Sequence, residues 1–487
     1  MSSDLNDEID PSNRVFYDPV TILRPISKAT GVNLDQLNFV TCLFLAFPIG
    51  FWFRHQFRDS PREIRSMVSA AIGFAMCYFL YGRAIAHLLI QGIGSYLLLK
   101  FTNSENVHRF VFVFAMGYLL LIHFYRWIYQ KSYCLDVTGS MMVAVGKTTL
   151  LATAIHDGNK LENGKEEELT EGQKNDASVI VGPMSHYSTW SAFLDLKHVP
   201  IDPKTTRPFS PTKEALFKFE ISLGIFIVYG LLGSFLPMSV TSDPEYNRLN
   251  LFCWWFWHMI ASTIHRLPYY FSWIISDANC NISGFGFDGI EASTDSAKWS
   301  KTTNVRPQNV ELGRNYKEMV ENWNIWTVAW LRRVVYERIE GPYRTWAVYL
   351  TGAIWHGLAV GYYLSFATSA LFTLAAATFR RCVRHHFLAN ANLKLAYDVF
   401  GIIISKFAIG YIHYPFYVLH LWPSIFMYRK LYLAPQIIAI LIYLYLPMVL
   451  PPLNGKHKKK SGIEKKKSGE STKTAIDGEI ENKMKEE

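Results

Sequence analysis

Charge is scarce in this chain. Asp, Glu, Lys and Arg make up 18% of its 487 residues, against roughly 25% in average soluble chains. Half the residues are hydrophobic and 15% are aromatic, a balance that fits a lipid-facing protein with Trp and Tyr belts at the membrane interfaces. Cysteine is sparse as well. Cys42, Cys77, Cys134, Cys253, Cys280 and Cys382 are scattered without a CxxC pair, which argues against a zinc site or a disulfide framework. No cleavable signal peptide is expected, because residues 1–36 are polar and charged. The first apolar segment then has to serve as the insertion signal. No internal repeat is visible, which weighs against many secondary-transporter folds. The net charge of +9 does not call for nucleic acid, since the excess lies in short loops and the C-terminal tail, where positive-inside residues belong.

Several catalytic signatures are missing too. None of the fifteen histidines starts an HxxxxD motif, which excludes the soluble-facing acyltransferases defined by it. There is no GxSxG nucleophile elbow and no HEXXH metal motif, so neither a metal nor a resident cofactor is expected. Gly146-Lys147-Thr148 looks like the end of a P-loop, but the pattern needs a glycine where Met141 stands.

What the chain has in quantity is uncharged sequence. Runs without Asp, Glu, Lys or Arg cover 37–53, 66–82, 84–99, 110–125, 221–242, 249–265, 345–379, 407–428 and 431–455. A span needs roughly 17–25 apolar residues, and most of these qualify alone or with a short charged flank. Segment 137–155 is interrupted by Lys147 and reads as a re-entrant or interfacial piece. Segment 345–379 is too long for the ~30 Å bilayer core as one straight helix, and Gly352, Gly357 and Gly361 are places where it can break. Residues 156–178 read as a solvated acidic loop, and 277–322 as a long polar stretch whose sequon at Asn281 is not expected to be used. The tail from about 454 is Lys-rich and aperiodic. If 399–428 crosses once and 431–455 crosses back, Arg380, Arg381 and Arg384 share a side with that tail, and the positive-inside rule puts both in the cytosol. The ending with Lys483 and Lys485 looks like a KxKxx endoplasmic-reticulum retrieval signal, an address rather than an anchor.

An ionisable residue inside a membrane segment is costly and usually functional. His356, in Ala353-Ile354-Trp355-His356-Gly357-Leu358, is such a residue. Burial disfavours the charged imidazole, and a neutral imidazole is a competent general base. The plain alternative is a histidine bonded to a neighbouring helix as packing glue. A second feature is the run Glu321–Arg333. Trp323, Trp326, Trp330 and Val334 recur at helical spacing, and Asn324 and Thr327 fall three apart on a neighbouring face. This is either an interfacial helix with snorkelling arginines or a helix offering Asn324 to a polar pocket, with Arg332 and Arg333 near an anionic ligand.

The elements Asn322-Trp323-Asn324-Ile325-Trp326-Thr327 and Trp355-His356-Gly357, set in a chain with many spans, resemble the membrane-bound O-acyltransferase (MBOAT) family. The opening from Leu34, Ala154-Ile155-His156-Asp157-Gly158, Gly182-Pro183, Pro268-Tyr269-Tyr270-Phe271 and Gly284-Phe285-Gly286-Phe287 are similar to its lysophosphatidylethanolamine and lysophosphatidylserine branch. Trp326 departs from that pattern, where a polar residue precedes the threonine. The resemblance implies an all-α polytopic membrane protein of roughly 9–11 transmembrane helices, with re-entrant or interfacial segments and an intramembrane catalytic chamber. Residues 37–453 would form that domain, between a polar segment 1–36 and a cytosolic tail 454–487. It implies His356 and Asn324 as the catalytic pair, acyl-CoA as co-substrate rather than cofactor, a lysophospholipid acceptor, and the endoplasmic-reticulum membrane. It leaves the role of Asn324 open. Trp323, Thr327, Trp330, Trp355, Tyr362, Tyr363 and Phe366 are candidates to line the substrate path, and Arg332 and Arg333 to meet the CoA head. The rival expectations are a protein or neutral-lipid acyltransferase of the same family, and a non-enzymatic transporter or scaffold.

Overall fold

A backbone surrounded by lipid has no hydrogen-bond partner but itself, so uncharged runs of this length fold as helices. The computed structural model describes residues 14–102, 105–129, 134–164, 167, 187–195, 198–203, 205–238 and 244–452. Gly182-Pro183, most of the acidic loop and the tail with Lys483 and Lys485 lie outside them. Regular structure among the described residues is helical apart from two short antiparallel ladders, β1 (Ile201–Asp202) with β2 (Arg207–Pro208) and β3 (Ile290–Glu291) with β4 (Ser296–Ala297).

Helices α1 (Arg24–Thr30), α2 (Leu34–Gln56), α3 (Arg62–Tyr81), α4 (Ile85–Phe101), α5 (Val107–Tyr129) and α6 (Thr138–Glu162) open the chain. After α7 (Tyr187–Leu194) come α8 (Thr212–Leu232), α9 (Pro244–Asn247), α10 (Leu251–Ile264) and α11 (Leu267–Ile282). Short α12 (Pro307–Glu311), α13 (Tyr316–Asn322) and α14 (Ile325–Val334) lead to α15 (Arg344–His356), α16 (Val360–Val383) and α17 (Ala391–Val418). Helices α18 (Leu421–Lys430), α19 (Ala434–Leu444) and α20 (Leu446–Val449) close the described region. The outer faces are apolar and exposed, as at Val113, Leu121, Trp127, Phe217 and Leu231, which is the surface a bilayer covers and water does not tolerate.

Among the described residues six helical units are long and apolar enough to cross a membrane, or seven if α18 and α19, bent by 73°, form one broken span. This is below the nine to eleven expected, for two reasons. Arg62–Phe101 is one 40-residue unit containing both α3 and α4. Segment 249–265 yields α10, at 14 residues too short to span alone.

Three expectations about segments change. Segment 137–155 does not turn back on itself, and α6 is not among the helices apolar enough to span. The segment belongs to the uninterrupted 25-residue α6, whose Met141 and Val145 are buried in one core cluster with Leu119, Trp330 and Trp355. The supposed loop after 155 starts as the last turns of that helix, and Asp157 is fully buried. Segment 407–428 does not run straight: α17 ends at Val418, and Leu419 at φ 63° turns the chain into α18. The orientation argument then requires the bent α18–α19 pair to count as one crossing.

The 345–379 stretch does break, and at one glycine. Helix α15 stops on His356, Gly357 sits at φ 124°, and α16 starts at Val360. Gly352 and Gly361 stay inside their helices and serve close packing instead. A Cβ on Gly352 would meet the Phe366 ring at 2.8 Å. One on Gly361 would run into the Pro415 carbonyl of α17, and the Gly361 N–H donates to the Leu419 carbonyl at 3.0 Å. Eighteen residues of α16 separate Tyr362, beside the break, from Arg380, about 27 Å of helix at 1.5 Å per residue. The site at the break and the Arg380–Arg384 cluster therefore occupy opposite ends of one helix.

Candidate active site

His356 is the last residue of α15, and the Gly357 N–H that ends the helix donates to the Ala353 and Ile354 carbonyls at 3.2 and 3.1 Å. The imidazole sits among aromatic rings from two other turns of chain. Tyr362 and Phe366 of α16 lie 5.3 and 5.4 Å from it, and Phe416 of α17 meets it edge-on at 4.9 Å. The side chain is half-buried. Among the described residues it has no hydrogen-bond partner, which removes the plain reading of helix-to-helix glue. An imidazole fixed by ring packing, with its nitrogens uncommitted, can accept a proton from a bound hydroxyl.

The helix bearing His356 is held by two indoles. Trp355 N–H donates to the Met142 carbonyl of α6 at 2.8 Å, and Trp330 N–H of α14 donates to Thr149 Oγ1 at 2.9 Å. Their rings pack at 5.3 Å. Both Trp330 and Trp355 are buried beneath the site. Sequence reading did not single out His123 of α5. Its Nε2 lies 3.3 Å from the Trp355 carbonyl, and since a carbonyl only accepts, Nε2 carries the proton. Its Nδ1 faces Gly357. A lone histidine in the uncharged run 110–125 was the available signal.

Asn324 sits elsewhere in its pattern than periodicity predicts. It caps α14 at φ 48°, in the left-handed region, and its side chain does not cap the helix. Asparagine tolerates that conformation better than most residues. Its Oδ1 accepts from Asn304 Nδ2 at 3.2 Å. Asn304 in turn accepts from Ile325 N–H at 2.8 Å through its carbonyl and from Trp326 N–H at 3.0 Å through Oδ1. Asn304 was missed because it lies in the polar stretch that reads as a connection. That stretch is anchored: Thr302 and Thr303 donate to Asp277 of α11 at 2.6 and 2.7 Å. Among the described residues no hydrogen bond joins Asn324 to His356.

The other candidates divide. Tyr362 and Phe366 touch the His356 ring, whereas Tyr363 is half-buried with no ring contact to it among the described residues. Trp323 precedes α14 rather than sharing its face with Trp326 and Trp330, and packs on Tyr269, Tyr270 and Trp273 at 5.0–5.7 Å. Thr327 is buried. Both arginines expected near the CoA head are ion-paired within the chain. Arg333 is buried against Asp157 at 3.2 Å and Glu337 at 3.1 Å, and exposed Arg332 pairs with Glu337 at 3.2 Å. Arg338 completes the cluster with two bonds to Asp157, at 2.8 and 2.5 Å. These guanidiniums have carboxylates of their own, so they form a helix-joining network. Asn281 of the sequon is also fully buried, donating to the Trp299 carbonyl at 3.0 Å, an arrangement with no room for a glycan.

A polytopic helical membrane domain with an uncommitted histidine at a broken helix defines the class. Comparison with known proteins supplies the family. Residues 175–413 match the model of the membrane-bound O-acyltransferase family. The chain is 33% identical over 464 residues to human membrane-bound glycerophospholipid O-acyltransferase 2, covering 88% of each. It is 32% identical over 460 residues to mouse membrane-bound glycerophospholipid O-acyltransferase 1, covering 88% of this chain and 93% of that protein. A lysophospholipid acyltransferase of Saccharomyces cerevisiae is 28% identical over 474 residues, covering 87% and 76%. The chain belongs to the MBOAT family and is a multi-pass membrane acyltransferase of phospholipid metabolism.

Proposed function

We propose that the protein transfers a fatty acyl group from acyl-CoA to the free hydroxyl of a lysophospholipid, with lysophosphatidylethanolamine or lysophosphatidylserine as acceptor. The observation that carries this reading is the uncommitted His356 ring among Tyr362, Phe366 and Phe416, in a chain whose relatives bear the names of glycerophospholipid and lysophospholipid acyltransferases.

Neutral His356 takes the proton of the glycerol hydroxyl as the oxygen attacks the thioester carbonyl. The carbon–sulfur bond then breaks, and the imidazolium returns the proton to the departing CoA sulfur. A base in this role contributes about 10²–10⁴-fold. Direct attack needs no Ser or Cys nucleophile and forms no acyl-enzyme. The rest of the acceleration comes from holding two lipids end to end in a site that excludes water. Asn324 orients the imidazole, the hydroxyl or the carbonyl oxygen. The aromatic cage supplies the apolar wall for the acyl chain. The same reading puts the enzyme in the endoplasmic-reticulum membrane, remodelling phospholipids, with its Lys-rich tail in the cytosol. Purified protein given oleoyl-CoA and a panel of lysophospholipids, sterol, diacylglycerol and peptides tests the proposal. Turnover of lysophospholipids is expected, and a panel in which none of them is acylated overturns it.

A further inference from the structure

Lys147 is the one Asp, Glu, Lys or Arg between residues 137 and 155, within α6, and the sequence gives it no role. Buried cations of the described chain find partners: Arg65 donates to the Phe57 and Phe193 carbonyls at 2.7 and 3.3 Å, and others meet carboxylates. Arg126 meets Asp136 at 3.0 Å, Lys218 meets Asp277 at 2.8 Å, Arg266 meets Glu311 at 2.8 Å and Arg333 meets Asp157 at 3.2 Å. Lys406 also reaches Glu311. Among the described residues Lys147 has no hydrogen bond and no ion pair.

Its surroundings are fixed on every side. Helix α6 is tied to the site on either flank of Lys147, by Trp355 at Met142 and by Trp330 at Thr149. Lys147 stands seven residues after Ser140, two helical turns on and on the same face, and Ser140 Oγ lies 3.0 Å from the Tyr81 hydroxyl of α3. The ammonium therefore leaves α6 towards α3 and α11, where the thiols of Cys77 and Cys280 are within electrostatic reach. The side chain is half-buried. The nearby carboxylate of α11, Asp277, is taken up by Lys218, Thr302 and Thr303. The residue after Thr303 is Asn304, which holds Asn324.

A cation kept in a protein interior without a counter-charge is strongly disfavoured unless something else repays its desolvation. Both substrates of the proposed reaction carry phosphate, and lysine binds phosphate as a point charge. The arginines first expected to meet an anion are already paired, and Lys147 is not. We infer that Lys147 is an anion-binding residue of the acyl-transfer site and receives a phosphate oxygen of a bound substrate, either the phosphodiester of the lysophospholipid or a phosphate of CoA. The inference rests on the acyl-transfer reading above and adds a positioning residue that neither the His–Asn pair nor the aromatic cage supplies.

The test uses the full chain in nanodiscs, with Lys147→Met and Lys147→Arg beside the unsubstituted protein, and lysophosphatidylethanolamine and oleoyl-CoA varied separately. Lys147→Met is expected to raise KM for one of them at least tenfold with a smaller change in kcat, and Lys147→Arg to recover part of the loss. A rise confined to lysophospholipid identifies the acceptor phosphodiester, and a rise confined to acyl-CoA identifies the donor phosphate. The substrate-free Lys147→Met protein is expected to unfold at the same or a higher temperature, because a desolvated charge is gone and a side chain of similar length fills its place. Unchanged KM for both substrates overturns the inference and leaves acyl transfer standing, whether or not stability has fallen. If the unsubstituted protein acylates no lysophospholipid, the functional reading fails. Equilibrium binding of lysophosphatidylethanolamine and of CoA then decides Lys147 by itself, equal affinities with and without the lysine overturning it. Lys147→Gln takes the same measurements should the methionine variant not accumulate.

Discussion

The His123 ring lies against the α-carbon of Gly357, so that a Cβ at 357 would stand 3.2 Å from Nδ1. That contact joins two requirements at one position. Gly357 must adopt φ 124° to end α15 on His356, and it must leave room for the histidine that holds the Trp355 carbonyl. Gly357→Ala meets both obstacles, the extended positive-φ backbone alone costing about 1–3 kcal/mol. The variant is expected to lose at least tenfold in acyl transfer, with a lowered midpoint in a thermal unfolding scan.

His356→Ala is expected to abolish transfer while expression stays near normal, since no hydrogen bond within the described protein depends on the ring. A loss of about 10²–10⁴-fold matches a general base. Poor expression together with lost activity would assign the ring to packing instead.

Asn324→Ala is expected to fall steeply in activity, and retained activity removes Asn324 from the site. Asn304→Ala is expected to follow it, because Asn304 holds both the Asn324 side chain at 3.2 Å and the Trp326 N–H at 3.0 Å. Matched kinetics of the two variants check that they act as one unit.

Asp157→Asn removes the carboxylate between Arg333 and Arg338. Two guanidiniums left at a buried site without their shared partner cost about 3–5 kcal/mol. The expected result is a large fall in the unfolding midpoint in detergent.

Glu311 carries a pH dependence. Burial pushes its carboxyl up, but Arg266 and Lys406 outweigh that and hold it at about 2, below its ordinary 4.5. A depressed carboxyl stabilises the fold fully above its unfolded value and ceases to do so as pH falls through its folded one. The protein is expected to lose stability between about pH 4.5 and pH 2 through this group. Glu311→Gln should be less stable at neutral pH, because buried Arg266 loses its carboxylate, and flatter across the acid range. Thermal unfolding at a series of pH values measures both.

The candidate residues were legible as local motifs before the fold, and their contacts were not. Trp355-His356-Gly357 marked the histidine and the glycine that ends its helix, and the Asn324 element stood out by its spacing from it, though no hydrogen bond joins the two among the described residues. The ion pairs of Arg332 and Arg333 were not legible, because charge in an apolar region reads alike whether it waits for a ligand or is already paired. Arg333's partner Asp157 lies about 180 residues away in sequence, in a stretch that reads as a solvated loop, and Arg332 pairs with Glu337. Lys147 reads in the sequence as an interruption and an incomplete P-loop, for the complementary reason: a sequence shows a charge but not the lack of a partner.

The sequence by itself determined that this chain lives in a membrane, because uncharged runs of helical length leave the backbone one way to satisfy itself. It also determined the family, because the family's residues are carried in short local motifs. The tertiary structure alone decided which of the three glycines broke the long segment, which cations were neutralised, and that His123 and Asn304 stand behind the catalytic candidates. Those outcomes depend on contacts between helices far apart in the chain, such as α5 against α15 and the α11 loop against α14, and a local pattern holds no record of them.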